Sequence, residues 1–333
     1  MSFGAFPQSR LRRLRGSESL RKLVCETRLS KDQLVMPYFL VPGKKQKQTI
    51  QSMPGQFRFS SDLLLHEIES LVKTGVSSVL LFGVPSKKDL TGFEACSSKG
   101  IVPQTIREIK KEFPELLVMT DICLCAYLEH GHCGLVNAKG KIENDASLKI
   151  LSQMALAHAE AGADLVAPSD MMDGRVGAMR SHLDHHGFED LPIMSYSAKY
   201  ASAFYGPFRD AAHSTPKSAK NLKIPKDRKT YQMDPANRRE ALREMQLDLQ
   251  EGADILMVKP ALAYLDVLRE AKNKFQVPMA AYLVSGEYSM IKAAGEKGWI
   301  DEQALVREVA TSVARAGADI LITYHAKLLA GQI

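Results

Sequence analysis

Two lysines in this chain of 333 residues stand where an amine could act as a nucleophile. Lys199 follows the run Leu191-Pro-Ile-Met-Ser-Tyr-Ser-Ala198, and Lys259 closes Ala253-Asp-Ile-Leu-Met-Val-Lys259. Both runs read as buried strands. An ammonium at the end of a buried strand is poorly hydrated, and a second ammonium nearby disfavours its charge further. The amine then loses its proton more easily and can attack a ketone. Either lysine alone could simply leave its strand and reach water. Two of them, with other polar residues at the same strand-end position, point to an enzyme that captures carbonyl substrates as Schiff bases.

Three of the five cysteines cluster as Cys123, Cys125 and Cys133, spaced C-x-C-x7-C, with His130 and His132 between them. Thiolates suit Zn²⁺, and three protein ligands leave a fourth position open for water or substrate. The spacing is not that of the common structural zinc patterns, and thiols without a metal are the alternative. With three sulfurs at hand, the two histidines are expected to hydrogen-bond within the loop rather than to ligate. Cys25 and Cys96 stand apart and read as packing or surface thiols. Farther along, Arg209, Lys220, Lys223, Lys226, Arg228 and Lys229 lie near Tyr205, Phe208 and Gln232. A guanidinium is a rigid fork of donors that matches a carboxylate. The substrate should therefore carry a carboxylate as well as a ketone. The lysines read as a solvated loop face, whereas Arg209 in Gly206-Pro-Phe-Arg-Asp210 reads as a contact.

The elements that must position these groups alternate along the chain. Eight short runs rich in Val, Ile, Leu and Met read as strands at 33–40, 77–83, 116–122, 164–168, 191–197, 254–259, 279–284 and 318–324. Most lack period-two alternation, as parallel strands covered on both faces do. Segments with helical spacing lie between them, such as 62–74, 146–161, 236–250, 261–274 and 301–316. Ala161-Gly-Ala-Asp164, Glu251-Gly-Ala-Asp254 and Ala316-Gly-Ala-Asp319 recur where a helix ends and a strand begins. Glycine suits the left-handed position after a helix. The pattern predicts a (β/α)8 TIM barrel spanning 31–333, with an extended N-terminal arm over 1–30 and a long polar lid over about 206–233. The runner-up, a doubly wound open sheet, lacks a Gly-x-Gly-x-x-Gly after the first strand.

In such a barrel the strand C-termini carry the chemistry. Strand three ends in Thr120-Asp121-Ile-Cys123-Leu-Cys125, strand four in Ser169-Asp170, and strand five in Ser195, Ser197 and Lys199. Strand six ends at Lys259, strand seven at Ser285 and strand eight at Tyr324. Six successive strands thus deliver reactive or hydrogen-bonding groups to one face.

The remaining composition narrows the class. Apolar residues make up 45% and charged residues 25%, as in an ordinary soluble globular protein. No apolar run is long enough to span a membrane. The net charge of +6 does not by itself imply nucleic acid. Part of it lies in Arg10, Arg12, Arg13, Arg15, Arg21 and Lys22, where a transit peptide or a nucleic-acid arm are the rival readings. Glu18, Glu26 and the leucines Leu11, Leu14, Leu20 and Leu23 favour an ordered arm that packs on another subunit. No apolar secretory region precedes it, and clustered thiols fit a reducing compartment, so a cytoplasmic location is expected.

Five longer segments stand out: Asp121-Ile-Cys-Leu-Cys-Ala-Tyr-Leu-Glu-His-Gly-His-Cys-Gly134, Ala167-Pro-Ser-Asp-Met-Met-Asp-Gly-Arg175, Lys199-Tyr-Ala-Ser-Ala-Phe-Tyr-Gly-Pro-Phe-Arg209, Leu256-Met-Val-Lys-Pro260 and Val284-Ser-Gly-Glu-Tyr288. Together they resemble the porphobilinogen synthase (5-aminolevulinate dehydratase) family. The resemblance runs from about Arg12 to the C-terminus. It implies a TIM barrel with an N-terminal arm, assembled as a homo-octamer. It also implies condensation of two 5-aminolevulinate molecules to porphobilinogen with loss of two waters, in tetrapyrrole (heme) biosynthesis. Carried over by position, Lys259 would bind the first substrate and Lys199 the second. Ser285 and Tyr324 would hold the first carboxylate, and Arg209, Arg228 and Gln232 the second. Tyr205 and Phe208 would line the first substrate's side, and Asp121 and Ser169 would contact its amino end. Cys123, Cys125 and Cys133 match the zinc-dependent branch, with Zn²⁺ assisting proton removal or water loss. Glu244 matches a position where many bacterial members hold an allosteric Mg²⁺. The lid is longer around Lys217–Lys226 than in some members.

Two other readings share part of this pattern. A class I Schiff-base aldolase acting on a keto acid needs one lysine and no metal. A nucleic-acid-binding or holdase protein would rest on the arm's charge alone and leave the strand-end groups unexplained.

Overall fold

The computed structural model describes residues 4–219 and 224–333. Eight parallel strands, here numbered β1 to β8, form its centre: Leu34–Leu40, Ser78–Gly83, Leu117–Ile122, Leu165–Pro168, Met194–Lys199, Ile255–Lys259, Met279–Leu283 and Ile320–Thr323. The hydrogen-bonded order runs β4-β3-β2-β1-β8-β7-β6-β5, and a parallel bridge between Val166 and Ile193 joins β4 to β5 and closes the ring. The fold is a (β/α)8 TIM barrel.

The apolar runs are continuous because both strand faces are buried. Val35, Phe39, Leu80, Phe82, Met257, Tyr282 and Ile322 point inward and fill the barrel. Leu34, Met36, Val79, Val118 and Leu256 point outward beneath the helices. Helix α1 is the short arm segment Glu18–Leu23, and the outer layer begins with α2 (Ser61–Val72) and α3 (Ile101–Glu112). These two bury Leu64, Ile68 and Leu71, and Ile106 and Ile109, at helical spacing. The layer continues with α4 (Asn144–Glu160), α5 (Arg175–His185), the lid helix α6 (Gly206–Ala211), α7 (Arg239–Gln250), α8 (Leu265–Lys274), α9 (Ser285–Glu296), α10 (Glu302–Ala316) and α11 (Ala326–Ala330).

The recurring Gly-Ala-Asp tetrads close the barrel's lower rim. Gly162, Gly252 and Gly317 have φ of 98°, 102° and 124°, which a side chain would strain. Each following aspartate then returns to the start of the preceding odd-numbered strand. Asp164 accepts the Val118 N–H at 2.7 Å, Asp254 that of Ile193 at 2.8 Å, and Asp319 that of Met279 at 2.8 Å. Lys110 and Lys272 neutralise Asp164 and Asp319.

Element boundaries shift where local chemistry intervenes. The fifth strand runs 194–199 rather than 191–197, because Pro192 has no N–H to enter the ladder. Lys199 is thus the strand's last residue instead of lying past its end. The segment read as a helix over 261–274 opens as a 3₁₀ turn, Leu262–Tyr264, before α8. Among the described residues, the segment before β1 holds α1 and the 3₁₀ turns Leu11–Arg15 and Lys31–Gln33, with Leu11, Leu14 and Leu23 exposed. Among the described residues no helix is long and apolar enough to cross a membrane. In the lid, Lys220 and Lys223 lie outside the described residues.

The rim bonds lie at the end of the barrel away from the lysines. Asp164→Ala should lower unfolding free energy by about 1–2 kcal/mol by leaving Val118 N–H unsatisfied. Turnover below the melting transition should be unchanged; thermal denaturation with a parallel activity assay checks both.

Candidate active site

β5 and β6 pair in parallel, and the register sets Lys199 directly opposite Lys259. Both side chains are buried. The Lys259 ammonium lies 4.0 Å from the centroid of Tyr282, 4.9 Å from that of Tyr196 and 5.1 Å from that of Phe208. Burial, and then the neighbouring Lys199 charge, push its pKa down to about 7. A substantial neutral fraction therefore exists near neutral pH. Lys199 donates a short hydrogen bond to the Ser169 carbonyl at the end of β4. Asp121, near the end of β3, is buried, and one of its oxygens, Oδ1, has no partner. Burial raises its pKa to about 7, against the pull of Lys199.

The loop after β3 brings the Sγ atoms of Cys123, Cys125 and Cys133 within 4.8 Å of one another, all buried. Hydrogen bonds from Cys123 and Cys133 hold the Cys125 thiol well below the usual range, while burial pushes Cys123 up. A buried set of three converging sulfurs, one poised as thiolate, fits a soft divalent ion such as Zn²⁺. His130 and His132 bond within and around the loop. His130 Nδ1 accepts the His132 N–H at 3.1 Å. His132 Nε2 donates to the Pro225 carbonyl at 2.9 Å, which leaves Nδ1 to accept from the Tyr231 hydroxyl at 3.0 Å. That hydroxyl accepts the Cys133 N–H at 3.3 Å. Gly131 has φ of 73°, and a Cβ there would stand 2.8 Å from the Thr215 carbonyl oxygen. The thiol loop and the lid are therefore in direct backbone contact.

The lid fills the barrel mouth. Arg228 donates to the carbonyls of Gly131 and Ser214, each at 2.8 Å. Burial opposes its charge, but the neighbouring sulfurs of Cys133 and Cys125 raise its pKa above the usual value. Arg209 Nε, Arg228 Nε and both amide atoms of Gln232 are buried without a partner. Such groups are costly to leave unpaired and mark a place for a polar ligand. The Tyr205 hydroxyl donates to the Lys259 carbonyl at 3.1 Å. The Phe208 N–H donates to Ser285 Oγ at 2.8 Å, where α9 begins. The hydroxyls of Tyr324 and Tyr282 share a bond of 3.0 Å.

Some strand-end groups do not join this cluster. Ser195 faces away from the lysines and donates to Asp248 at 2.6 Å. Ser197 bonds back to the Ser195 carbonyl. Asp170 turns to accept the Met172 N–H. Glu244 lies half-buried on α7, outside the barrel. Burial and the nearby carboxylates of Asp248, Asp173 and Glu240 raise its pKa against Arg175. Among the described residues only the three cysteines gather at least three metal-ligating groups at one point.

The sequence reading also missed residues. Tyr196 and Tyr282 surround Lys259, and their inward placement follows only once strand register is known. Arg58, on a short strand after β1, donates to the carbonyls of Ala211 and Asp210, each at 2.6 Å, and Lys88 to that of His213. These anchors fix the lid helix from distant sequence, which no local pattern signals.

The profile of the family described as Delta-aminolevulinic acid dehydratase matches residues 8–332. A Bacillus subtilis protein named delta-aminolevulinic acid dehydratase is 54% identical over 319 residues, 96% of each chain. The Methanothermus sociabilis protein of that name is 54% identical over 328 residues, 98% of this chain and 99% of that one. A crystal structure of the Toxoplasma gondii delta-aminolevulinic acid dehydratase (porphobilinogen synthase), in complex with its reaction product porphobilinogen, superposes with a TM-score of 0.94. It shares 45% identity and covers 98% of this chain and 92% of its own.

The lowered pKa of Lys259 has a sign that can be checked. Only the neutral amine attacks a carbonyl, so reductive alkylation of Lys259 by a small ketone should fall as pH drops through about 7. In Lys199→Met the midpoint should move to higher pH, because one repelling charge is gone. Peptide mass mapping after labelling across pH reads both; identical midpoints would rule out the influence of Lys199.

Proposed function

This chain belongs to the delta-aminolevulinic acid dehydratase family, and we propose that it condenses two molecules of 5-aminolevulinate to porphobilinogen, holding each substrate as a lysine Schiff base. The observation that carries the two-lysine reading is the pairing of Lys199 with Lys259 across adjacent strands, with Lys259 near neutrality. The reaction is a lyase reaction of heme biosynthesis. It forms one C–C and one C–N bond and releases two waters, with no oxidant or reductant.

Neutral Lys259 adds to the ketone of the first substrate, and the carbinolamine loses one water. The rings of Tyr196, Tyr282 and Phe208 face the resulting iminium, as they face the ammonium now. Ser285 and Tyr324 would take the first carboxylate, at the start of α9 where free N–H groups favour an anion. Lys199 would capture the second substrate after leaving the Ser169 carbonyl. Arg209, Arg228 and Gln232 would bind the second carboxylate, which supplies the partners their buried atoms lack. Tyr205 and Phe208 would line the first substrate's side. Asp121 and Ser169 would meet its amino group, and a carboxyl that titrates near neutrality can both accept and return a proton.

Cys123, Cys125 and Cys133 would hold the Zn²⁺. When bound, the ion would supply Lewis-acid charge and an open coordination position beside the amines. Arg228 ties the lid to the loop of these thiols, so lid closure and the metal loop would be coupled through its two carbonyl bonds. Glu244 would give one carboxylate to a largely hydrated Mg²⁺ at a subunit interface, a mode that needs few protein ligands. The exposed leucines of residues 1–30 support an arm that packs on a neighbouring subunit of a homo-octamer. Five free cysteines suit the reducing environment of a cytoplasmic enzyme.

Lys259→Ala should lower porphobilinogen formation by about four orders of magnitude or more; a coupled colorimetric assay of the pyrrole reads this, and near-normal turnover would remove Lys259 from its role. Chelation should lower activity reversibly, with recovery on adding Zn²⁺. Full activity in a sample verified metal-free by elemental analysis would refute a metal role.

A further inference from the structure

β5 reaches the lysines through an irregular step. Before the step Leu256 faces Ser195; after it Val258 faces Ala198 and Lys259 faces Lys199. Tyr196 and Ser197 therefore share one partner, Met257. This is a one-residue bulge, which is rare in a parallel pair. The extra residue changes which side of the sheet later residues face. Met194 and Tyr196 lie in the barrel interior with Met257, whereas Ala198 packs outside with Leu256 and Val258. With strict alternation the even-numbered residues of β5 would stay inside, and Lys199 would point outward among the helices. The bulge turns Lys199 inward, beside Lys259.

A bulge leaves backbone groups without ladder partners, and buried ones must find others. The Tyr196 carbonyl accepts from Arg175 Nη2 at 3.3 Å. The same nitrogen lies 3.0 Å from Ser195 Oγ and 3.1 Å from Asp248 Oδ2. Ser195 Oγ in turn donates to Asp248 Oδ2 at 2.6 Å. Arg175 opens α5, Asp248 lies on α7, and both are buried. The helices on either side of β5 therefore grip it at the bulge. A buried ion pair is often no more stabilising than apolar packing of the same volume. What apolar packing would not supply is a donor for the Tyr196 carbonyl at the bulge.

We propose that Arg175, supported by Asp248 and Ser195, is a positioning residue: it caps the Tyr196 carbonyl at the β5 bulge and thereby sets the inward direction of Lys199. This rests on the reading of Lys199 as the second Schiff-base amine.

The double variant Arg175→Met/Asp248→Leu removes the cap without leaving a lone buried charge. Its kcat at saturating 5-aminolevulinate should fall about 100-fold, as expected for a misplaced reacting group. The adduct that borohydride traps on Lys259 should stay at the wild-type level. Ser195→Ala, which removes one hydroxyl, should give a smaller drop with the same retained adduct, and it decides the question if the double variant does not fold. A kcat within about threefold of wild type in the folded double variant, or in Ser195→Ala no drop at all, would overturn the proposal. So would loss of the Lys259 adduct in step with kcat, which would mark a general structural role. Absence of that adduct in the wild type would instead defeat the Schiff-base reading itself.

Discussion

Two ammonium groups cannot both keep their charge when buried side by side without carboxylates to match them. Desolvation and mutual repulsion both favour the neutral amine, and here they act together on Lys259. Most of what surrounds the barrel mouth follows from maintaining that condition. Aromatic rings rather than carboxylates face Lys259, so its charge is tolerated but not fixed. The rings of Tyr205 and Phe208 also pack against Lys259, which adds to its desolvation. The carboxyl of Asp121, which interacts with both lysines, is itself pushed toward neutrality by burial.

The barrel architecture supplies what a single strand could not. Strand C-termini converge, so groups separated by tens of residues in sequence share one mouth. The inner face is packed with side chains, and reactive groups occupy only its last layer. The lid is tied to this frame at several independent points: Arg58 holds the α6 end, Lys88 the following turn, and Arg228 the thiol loop. Thiols, lid and lysines therefore form one connected unit, in which a buried arginine balances a thiolate and closes the mouth. The opposite rim, built from the Gly-Ala-Asp junctions, ties the start of one strand to the junction that opens the next.

Much of this was legible in residue order. Apolar runs of the right length and the repeated helix-to-strand junctions announce the barrel. Once the barrel is assumed, strand-end logic brings Asp121, Ser169, Lys259, Ser285 and Tyr324 to one mouth. Lys199 is the instructive case. Its position after an apolar run places it at the mouth, yet counting by twos from Met194 puts it outside. Only the register across β6 reveals the bulge that turns it inward. Ser195 lies before the bulge and faces outward by ordinary alternation from Met194, away from the site that its place in the sequence suggests. Tyr196 and Tyr282 read as ordinary core residues, since burial alone does not say which amine a ring faces. Arg58 and Arg175 act through bonds across the fold, and no local spacing encodes such a partner.

Incubation with 5-aminolevulinate, quenching with borohydride and peptide mass mapping would test the central claim most directly. The account predicts a reduced substrate adduct on Lys259, alone or together with Lys199, and on no other lysine. A folded, zinc-loaded enzyme that forms porphobilinogen yet yields no adduct on either lysine would contradict it.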